Sequence, residues 1–267
     1  METMSRPRIA IPLPTSADES YNQRSWPMYA AAVERAGGEA VKVDLNSSPA
    51  ALRELARGCA GVLLPGSPAD VDPARFGAEL NPATNKADPA REAADWTLLE
   101  ESERHRLPVL AICYGVQSLN VYQGGSLLQD LLPLPVNHSA GRQVAVAHSA
   151  EIAPESLLAS LLTADEAPEK RGFRWLPVNS SHHQAIAEPG QYLRIVARCP
   201  EDGVIEAVER AYDPRDPWFV LGVQWHPERS VDISRASSAI FSRLIAEAQQ
   251  HAGLTADVAA AIAAKES

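Results

Sequence analysis

Cysteine is scarce in this chain: three in 267 residues (Cys59, Cys113 and Cys199), widely separated and without a CxxC pair. That excludes a disulfide framework and a thiolate zinc site, and it fits a reducing compartment. Long apolar runs are also missing. The stretch "METMSRPRIAIPLP" is apolar only from Ile9 to Pro14 and is interrupted by prolines. It is too short for the core of a signal peptide and far too short for a membrane span, so a cytoplasmic protein is expected. Positive charge is in deficit, with 24 Lys and Arg against 34 Asp and Glu for a formal net charge of −10. A nucleic-acid or anionic-membrane surface is therefore not expected, although a local cationic pocket for a small anion is compatible with this balance. His138 and His148 lack ligand-like spacing with other metal-binding residues, so neither a metal nor a cofactor is expected. There is no internal repeat and no low-complexity tract apart from an alanine-rich tail. The remaining composition, 45% hydrophobic and 22% charged, suits a globular chain long enough to bury a full core.

The first half alternates short apolar runs with helical patterns. "RIAIPLP", "EAVKVDL", "GVLLPG" and "PVLAIC" read as strands. Between them, "SWPMYAAAVERAGG" reads as a helix stopped at Gly37 and Gly38, and "SPAALRELARGC" as one capped by Ser48. "DPAREAADWTLLEESERHRL" opens a long helix with Asp88 and Pro89 in the favoured cap and first-turn order. Near-continuous apolar strands between helices predict a parallel sheet covered on both faces. In the second half, "RQVAVAHSAEI", "YLRIVARC" and "VIEAVERAY" alternate like half-exposed antiparallel strands. "FVLGVQWH" is again continuous and is expected to rejoin the central sheet. "SVDISRASSAIFSRLIAEAQQ" reads as a closing helix with Ile233, Ile240, Leu244 and Ile245 near one face. No linker divides the halves, so one domain over residues 1–253 is expected. A tail over 254–267 has helical propensity but little apolar bulk, and is expected to fray.

Three segments carry chemistry. "AICYGVQ" places Cys113 between a strand and a helix, the pattern of a sharp turn that exposes one reactive side chain above a sheet. The local reading leaves two options open. Cysteine can be a small buried hydrophobe, or a helix N-terminus can bias it toward the reactive thiolate. "GVQWHPE" ends the last apolar strand with His226 and Glu228 two residues apart, which on an extended strand brings both to one side. A histidine base oriented by a carboxylate is what a thiol nucleophile needs. "LLPGSPADVDP" follows a strand with a tight turn at Pro65, Gly66 and Ser67, whose amides could face an oxyanion opposite the amide of Tyr114. An ordinary Pro-Gly turn reads the same way.

Together, "CYGVQ", "GVQWHPE" and "LPGSP" resemble the class I glutamine amidotransferase-like family, in its γ-glutamyl hydrolase branch, peptidase C26. "NVYQGGSLLQDL" and "VNSSHHQAI" (Val178 to Ile186) support that branch, and the resemblance spans roughly residues 8 to 250. It implies an α/β three-layer sandwich with a mostly parallel central sheet, a nucleophile elbow and a small antiparallel addition. It further implies a hydrolase that cleaves γ-glutamyl amides through a thioester. Cys113 would be the nucleophile, His226 the base and then the acid, and Glu228 its orienting partner. The amides of Tyr114 and of Gly66 or Ser67 would form the oxyanion hole. Gln117 resembles the helix residue facing the glutamyl end, and Ser181 and His182 match a substrate-pocket loop. His183 reads as a loop histidine making one hydrogen bond. Cys59 and Cys199 read as packing residues. Asp70 and Asp72 read as loop residues, with contact to a substrate amine left open. The partner implied is a small-molecule γ-glutamyl substrate, without nucleic acid or membrane, and a homodimer is compatible with the sequence. Two alternatives share the scaffold: a glutaminase subunit that passes ammonia to a synthetase, and a non-catalytic ligand-binding protein. The second would be expected to lack one of the three triad residues, and all three are present.

Overall fold

A computed structural model describes residues 6–131 and 134–266, with side chains described as far as residue 253. The first half alternates as β1 (Arg8–Pro12), α1 (Glu19–Arg35), β2 (Glu39–Val43), α2 (Pro49–Arg57), β3 (Gly61–Leu64), α3 (Pro89–His105) and β4 (Val109–Ile112). Then come α4 (Tyr114–Tyr122), β5 (Ser126–Leu128), β6 (His148–Ile152), the single turn α5 (Leu157–Ser160), β7 (Glu169–Lys170), β8 (Phe173–Val178) and β9 (Ala185–Glu188). The chain closes with β10 (Leu193–Arg198), β11 (Ile205–Arg210), β12 (Val220–Val223) and α6 (Arg235–Glu266). The expected caps form. Ser48 Oγ accepts from the amide of Ala51 at 3.3 Å, and Asp88 Oδ1 from that of Arg91 at 3.1 Å. Asp88 also accepts from the Thr15 and Ser16 hydroxyls, so one cap ties the loop after β1 to α3.

Ten strands form one sheet in the order β2-β1-β3-β4-β12-β11-β10-β6-β8-β7. The first five are parallel, and β12 pairs with β4 from Val220↔Val109 to Val223↔Ile112. The antiparallel strands continue from β12 as part of the same sheet, while β5 and β9 make a separate two-stranded ladder. Because a strand sends successive side chains to opposite faces, β1 feeds two cores. Ile9 and Ile11 join Val33 of α1 and Ile240 and Leu244 of α6, and Ala10 joins Leu52, Leu98 and Leu119 of α2, α3 and α4. The molecule is thus a three-layer α/β sandwich. Among the described residues, no helix is long and apolar enough to cross a membrane.

Three expectations need correction. In "RQVAVAHSAEI" only His148 to Ile152 pair, and Val144 and Val146 are exposed. Ile233 precedes α6 and is 80% exposed, leaving Ile240, Leu244 and Ile245 on the buried face. Strand β11 is buried from Ile205 to Glu209 rather than half-exposed: Glu209 accepts from the amides of Leu157 and Leu158 and from Arg194, and Glu206 lies among His138, His148 and His182. The backbone of the tail continues α6 to Glu266, and the tail's side chains lie outside the described residues.

Candidate active site

Parallel α/β sheets place their sites beyond the carboxyl ends of the strands, and β3, β4 and β12 end together here. Cys113 stands between β4 and α4 with φ 53° and ψ −110°, a left-handed conformation in a residue that has a Cβ. Such a conformation costs on the order of 1–3 kcal/mol and persists only where the surroundings over-determine it. Here its amide donates to Val223 O at 2.9 Å and its carbonyl accepts from Val116 N at 3.1 Å, so the elbow is pinned to β12 on one side and α4 on the other. Gly115 allows the tight approach, since a Cβ there would run into the carbonyl of Leu64. The thiol therefore sits at the start of α4, where the helix dipole favours negative charge.

His226 and Glu228 meet as expected, with Nδ1 2.8 Å from Oε1, but by a different backbone route. Strand β12 ends at Val223, and Pro227–Arg229 form a short 3₁₀ turn with His226 at its head. A proline suits the first position of such a turn because it needs no amide partner there. Both side chains are buried. Burial opposes charge on the imidazole, but the Glu228 carboxylate and the Cys113 side chain outweigh it and lift His226 to about 9. For Glu228, burial pushes the other way, and the His226 and Arg229 cations hold it below its ordinary value. The pair is an imidazolium–carboxylate at neutral pH. Asn179, which sequence reasoning left without a role, clamps the histidine backbone from both sides. Its Oδ1 accepts from the His226 amide, and its Nδ2 donates to the His226 carbonyl, each at 2.9 Å. Its only signal in the sequence is its place in "VNSSHHQAI".

The Pro65–Gly66–Ser67 turn lies against the same centre. A Cβ on Gly66 would sit 3.0 Å from His226 Cε1 and 3.6 Å from Cys113 Cβ. Of the two amides expected to serve an oxyanion, that of Gly66 already donates to the Tyr29 hydroxyl at 3.0 Å. Among the described residues neither the Ser67 nor the Tyr114 amide has a partner, so these two are the donors at hand. The turn is held from behind by Arg91, which is wholly buried. It donates to Pro65 O at 2.6 Å, Pro14 O at 2.9 Å and Asp95 at 2.7 Å, and stacks 4.8 Å over the Tyr114 ring. Tyr114 is thus packed inward, its side chain buried rather than offered to a ligand. Arg91→Ala would leave Asp95 charged and unpaired, which typically costs 3–5 kcal/mol. A thermal melt of that variant should fall by on the order of 10 °C.

A cavity of about 230 Å³ opens over the elbow, lined among others by Ser67, Cys113, Gln117, Ser181 and His183. Gln117 spends both amide hydrogens internally, on Gln184 O at 3.0 Å and Gln224 Oε1 at 3.2 Å, so it offers the cavity only an acceptor. His182 borders the cavity, but its ring nitrogens turn away: Nδ1 lies 2.9 Å from Gln184 O and Nε2 3.8 Å from Glu206. Burial pushes it down to about 3, so it is neutral. His183 does more than a single loop bond. Its Nε2 lies 3.0 Å from Asp70 and its Nδ1 3.4 Å from Asp130, contacts that raise it above its ordinary value despite partial burial. Asp70 is spent on His183 and on the Asn85 amide at 2.6 Å. Asp72 caps a turn through Ala74 N and lies outside the cavity lining. His138 and His148, distant in sequence, are brought together beside Glu206 and His182, overturning the argument from spacing against a ligand set.

The Peptidase C26 family model matches residues 11–228. A γ-glutamyl-γ-aminobutyrate hydrolase of Escherichia coli O157:H7 is 34% identical over 232 residues, covering 84% of this chain and 85% of the relative. The γ-glutamyl-γ-aminobutyrate hydrolase PuuD of strain K12 matches to the same extent. Among solved structures, the glutaminase domain of CTPS from Trypanosoma brucei aligns with a TM-score of 0.58 at 14% identity, over 91% of this chain and 94% of that one. That likeness shows the class I glutamine amidotransferase fold.

Proposed function

The chain belongs to the peptidase C26 family of hydrolases, and from that premise we propose that it cleaves γ-glutamyl amide bonds through a thioester on Cys113. The observation that carries the reading is the Cys113 elbow and the buried His226–Glu228 pair meeting at the Gly66 turn. The thiolate attacks the γ-carbonyl carbon, and the carbonyl electrons move onto oxygen, where the Ser67 and Tyr114 amides receive the charge. The intermediate collapses as His226 gives its proton to the departing amine. Now neutral, His226 takes a proton from water, the hydroxide attacks the thioester, and the thiolate leaves with glutamate as the released acid. His226 ends protonated, as it began. Glu228 fixes the ring through Nδ1, keeping Nε2 for both transfers.

For the substrate, the free Gln117 oxygen suits an α-ammonium, which only donates. Short γ-glutamyl amides of small amines, of which γ-glutamyl-γ-aminobutyrate is the one named in the relatives, are the proposed substrates. The net charge of −10 disfavours a polyglutamate tail. In a steady-state comparison of kcat/KM across γ-glutamyl amides, an analogue without the α-amino group should lose about 1–3 kcal/mol, roughly five- to 150-fold. Glutamine as the best substrate, accelerated only by a second protein, would contradict this reading in favour of a glutaminase subunit.

A further inference from the structure

Behind the loop that walls the cavity, four side chains from separate parts of the chain converge. They are His138, His148 at the start of β6, His182 before β9 and Glu206 in β11, and all are buried. Glu206 Oε1 stands 3.3 Å from His138 Nδ1, 3.4 Å from His148 Nε2 and 3.8 Å from His182 Nε2. Among the described residues, none of these three nitrogens, and neither carboxylate oxygen of Glu206, has a hydrogen-bond partner.

The far nitrogen of each ring is committed elsewhere. His138 Nε2 lies 2.9 Å from Asp202 Oδ2, His148 Nδ1 3.2 Å from Ser149 O, and His182 Nδ1 2.9 Å from Gln184 O. A carbonyl can only accept, so His148 and His182 donate from Nδ1, and a neutral ring then carries a lone pair on Nε2. Those lone pairs point at a carboxylate, acceptor against acceptor, in a buried space. Such a group is costly unless something positive sits within it. Imidazoles pinned through one nitrogen to a carbonyl or carboxylate, with the other nitrogen free, are the arrangement in which histidine ligates metals.

The spacing agrees. Ligand atoms at about 2.0–2.1 Å from a tetrahedral centre lie roughly 3.3–3.4 Å from one another, which two of the three separations match. We propose that His138, His148 and Glu206 hold a divalent transition-metal cation of the zinc class. Imidazole nitrogens select such an ion over calcium or magnesium, which favour oxygen ligands. None of these three ligands lines the cavity over Cys113, so the ion is structural. It joins β6 and β11 to His138, whose carbonyl accepts from the Ser180 hydroxyl and the His182 amide in the segment that carries Asn179 at the back of His226 and Ser181 and His183 on the cavity wall.

The test is metal content of the full chain, purified without chelators or a polyhistidine tag, equilibrated with zinc and freed of loose ion. The wild type and Cys113→Ala should retain about one zinc per chain, and Glu206→Gln and His148→Ala at least tenfold less. Cobalt exchanged into the wild type should show the intense visible bands of a four-coordinate ion, a readout that does not depend on the variants folding. A wild type that retains neither zinc nor cobalt would overturn the proposal and assign the cluster to a proton on His138 shared between Glu206 and Asp202. Equal zinc in the wild type and in folded Glu206→Gln would overturn it as well, because the ion would then lie elsewhere.

Discussion

Cys113→Ala is expected to lower kcat/KM for a γ-glutamyl amide by about 10⁴-fold or more while leaving the fold intact, because a triad does nothing without its nucleophile. Alanine removes only a sulfur that the elbow holds by backbone bonds to Val223 and Val116, so near-UV circular dichroism should be unchanged. The other two thiols act as controls. Burial pushes Cys59 up to about 11, and it pushes Cys199 up as well, with the Cys199 thiol donating to Glu201 at 3.2 Å. Neither presents a thiolate at neutral pH, so alanine at either position should leave turnover within a few-fold of the parent. Iodoacetamide should label Cys113 first. Substantial activity in Cys113→Ala would remove the thioester mechanism.

His226→Ala should be nearly as damaging, since one imidazole serves both proton transfers, and Glu228→Gln should retain partial activity. The pH profile separates their roles. The amine departs with the proton of the imidazolium, which is present below about 9 and lost as pH rises through that value. The alkaline limb of kcat/KM therefore falls near pH 9 in the parent. Glu228→Gln removes the carboxylate that opposes the cost of burying that cation, so its limb should shift down toward the ordinary histidine value of about 6.5. An unmoved limb, with equal and small losses in both variants, would contradict the assignment.

The parallel half was legible because its physics is local. Apolar runs of four or five residues and caps at Ser48 and Asp88 say strand and helix without reference to the rest of the chain. The elbow was legible for the same reason: strand, cysteine, any residue and glycine lie within seven positions. The antiparallel half was harder to read. Glu206 and Glu209 look solvent-facing in "VIEAVERAY", and only the fold shows that both are buried, Glu209 on Arg194 and the amides of α5 and Glu206 beside three histidines. Arg91 reads as a polar helix residue until Pro14 and Pro65, in the loops after β1 and β3, and Asp95, one turn along α3, close around it. The His138, His148, His182 and Glu206 cluster spans too many residues for any spacing rule. Gly66 and Ser67 could not be ranked as donors before Tyr29, 37 residues upstream of Gly66, proved to occupy the first.

The central claim is a covalent γ-glutamyl enzyme on Cys113, and acid-quenched mass spectrometry during turnover of γ-glutamyl-γ-aminobutyrate tests it most directly. The account predicts one γ-glutamyl group on the peptide containing Cys113, absent from Cys113→Ala and accumulating in variants slowed at the water step. Glutamate released with no acyl group on Cys113, or with the group on Cys59 or Cys199, would contradict it.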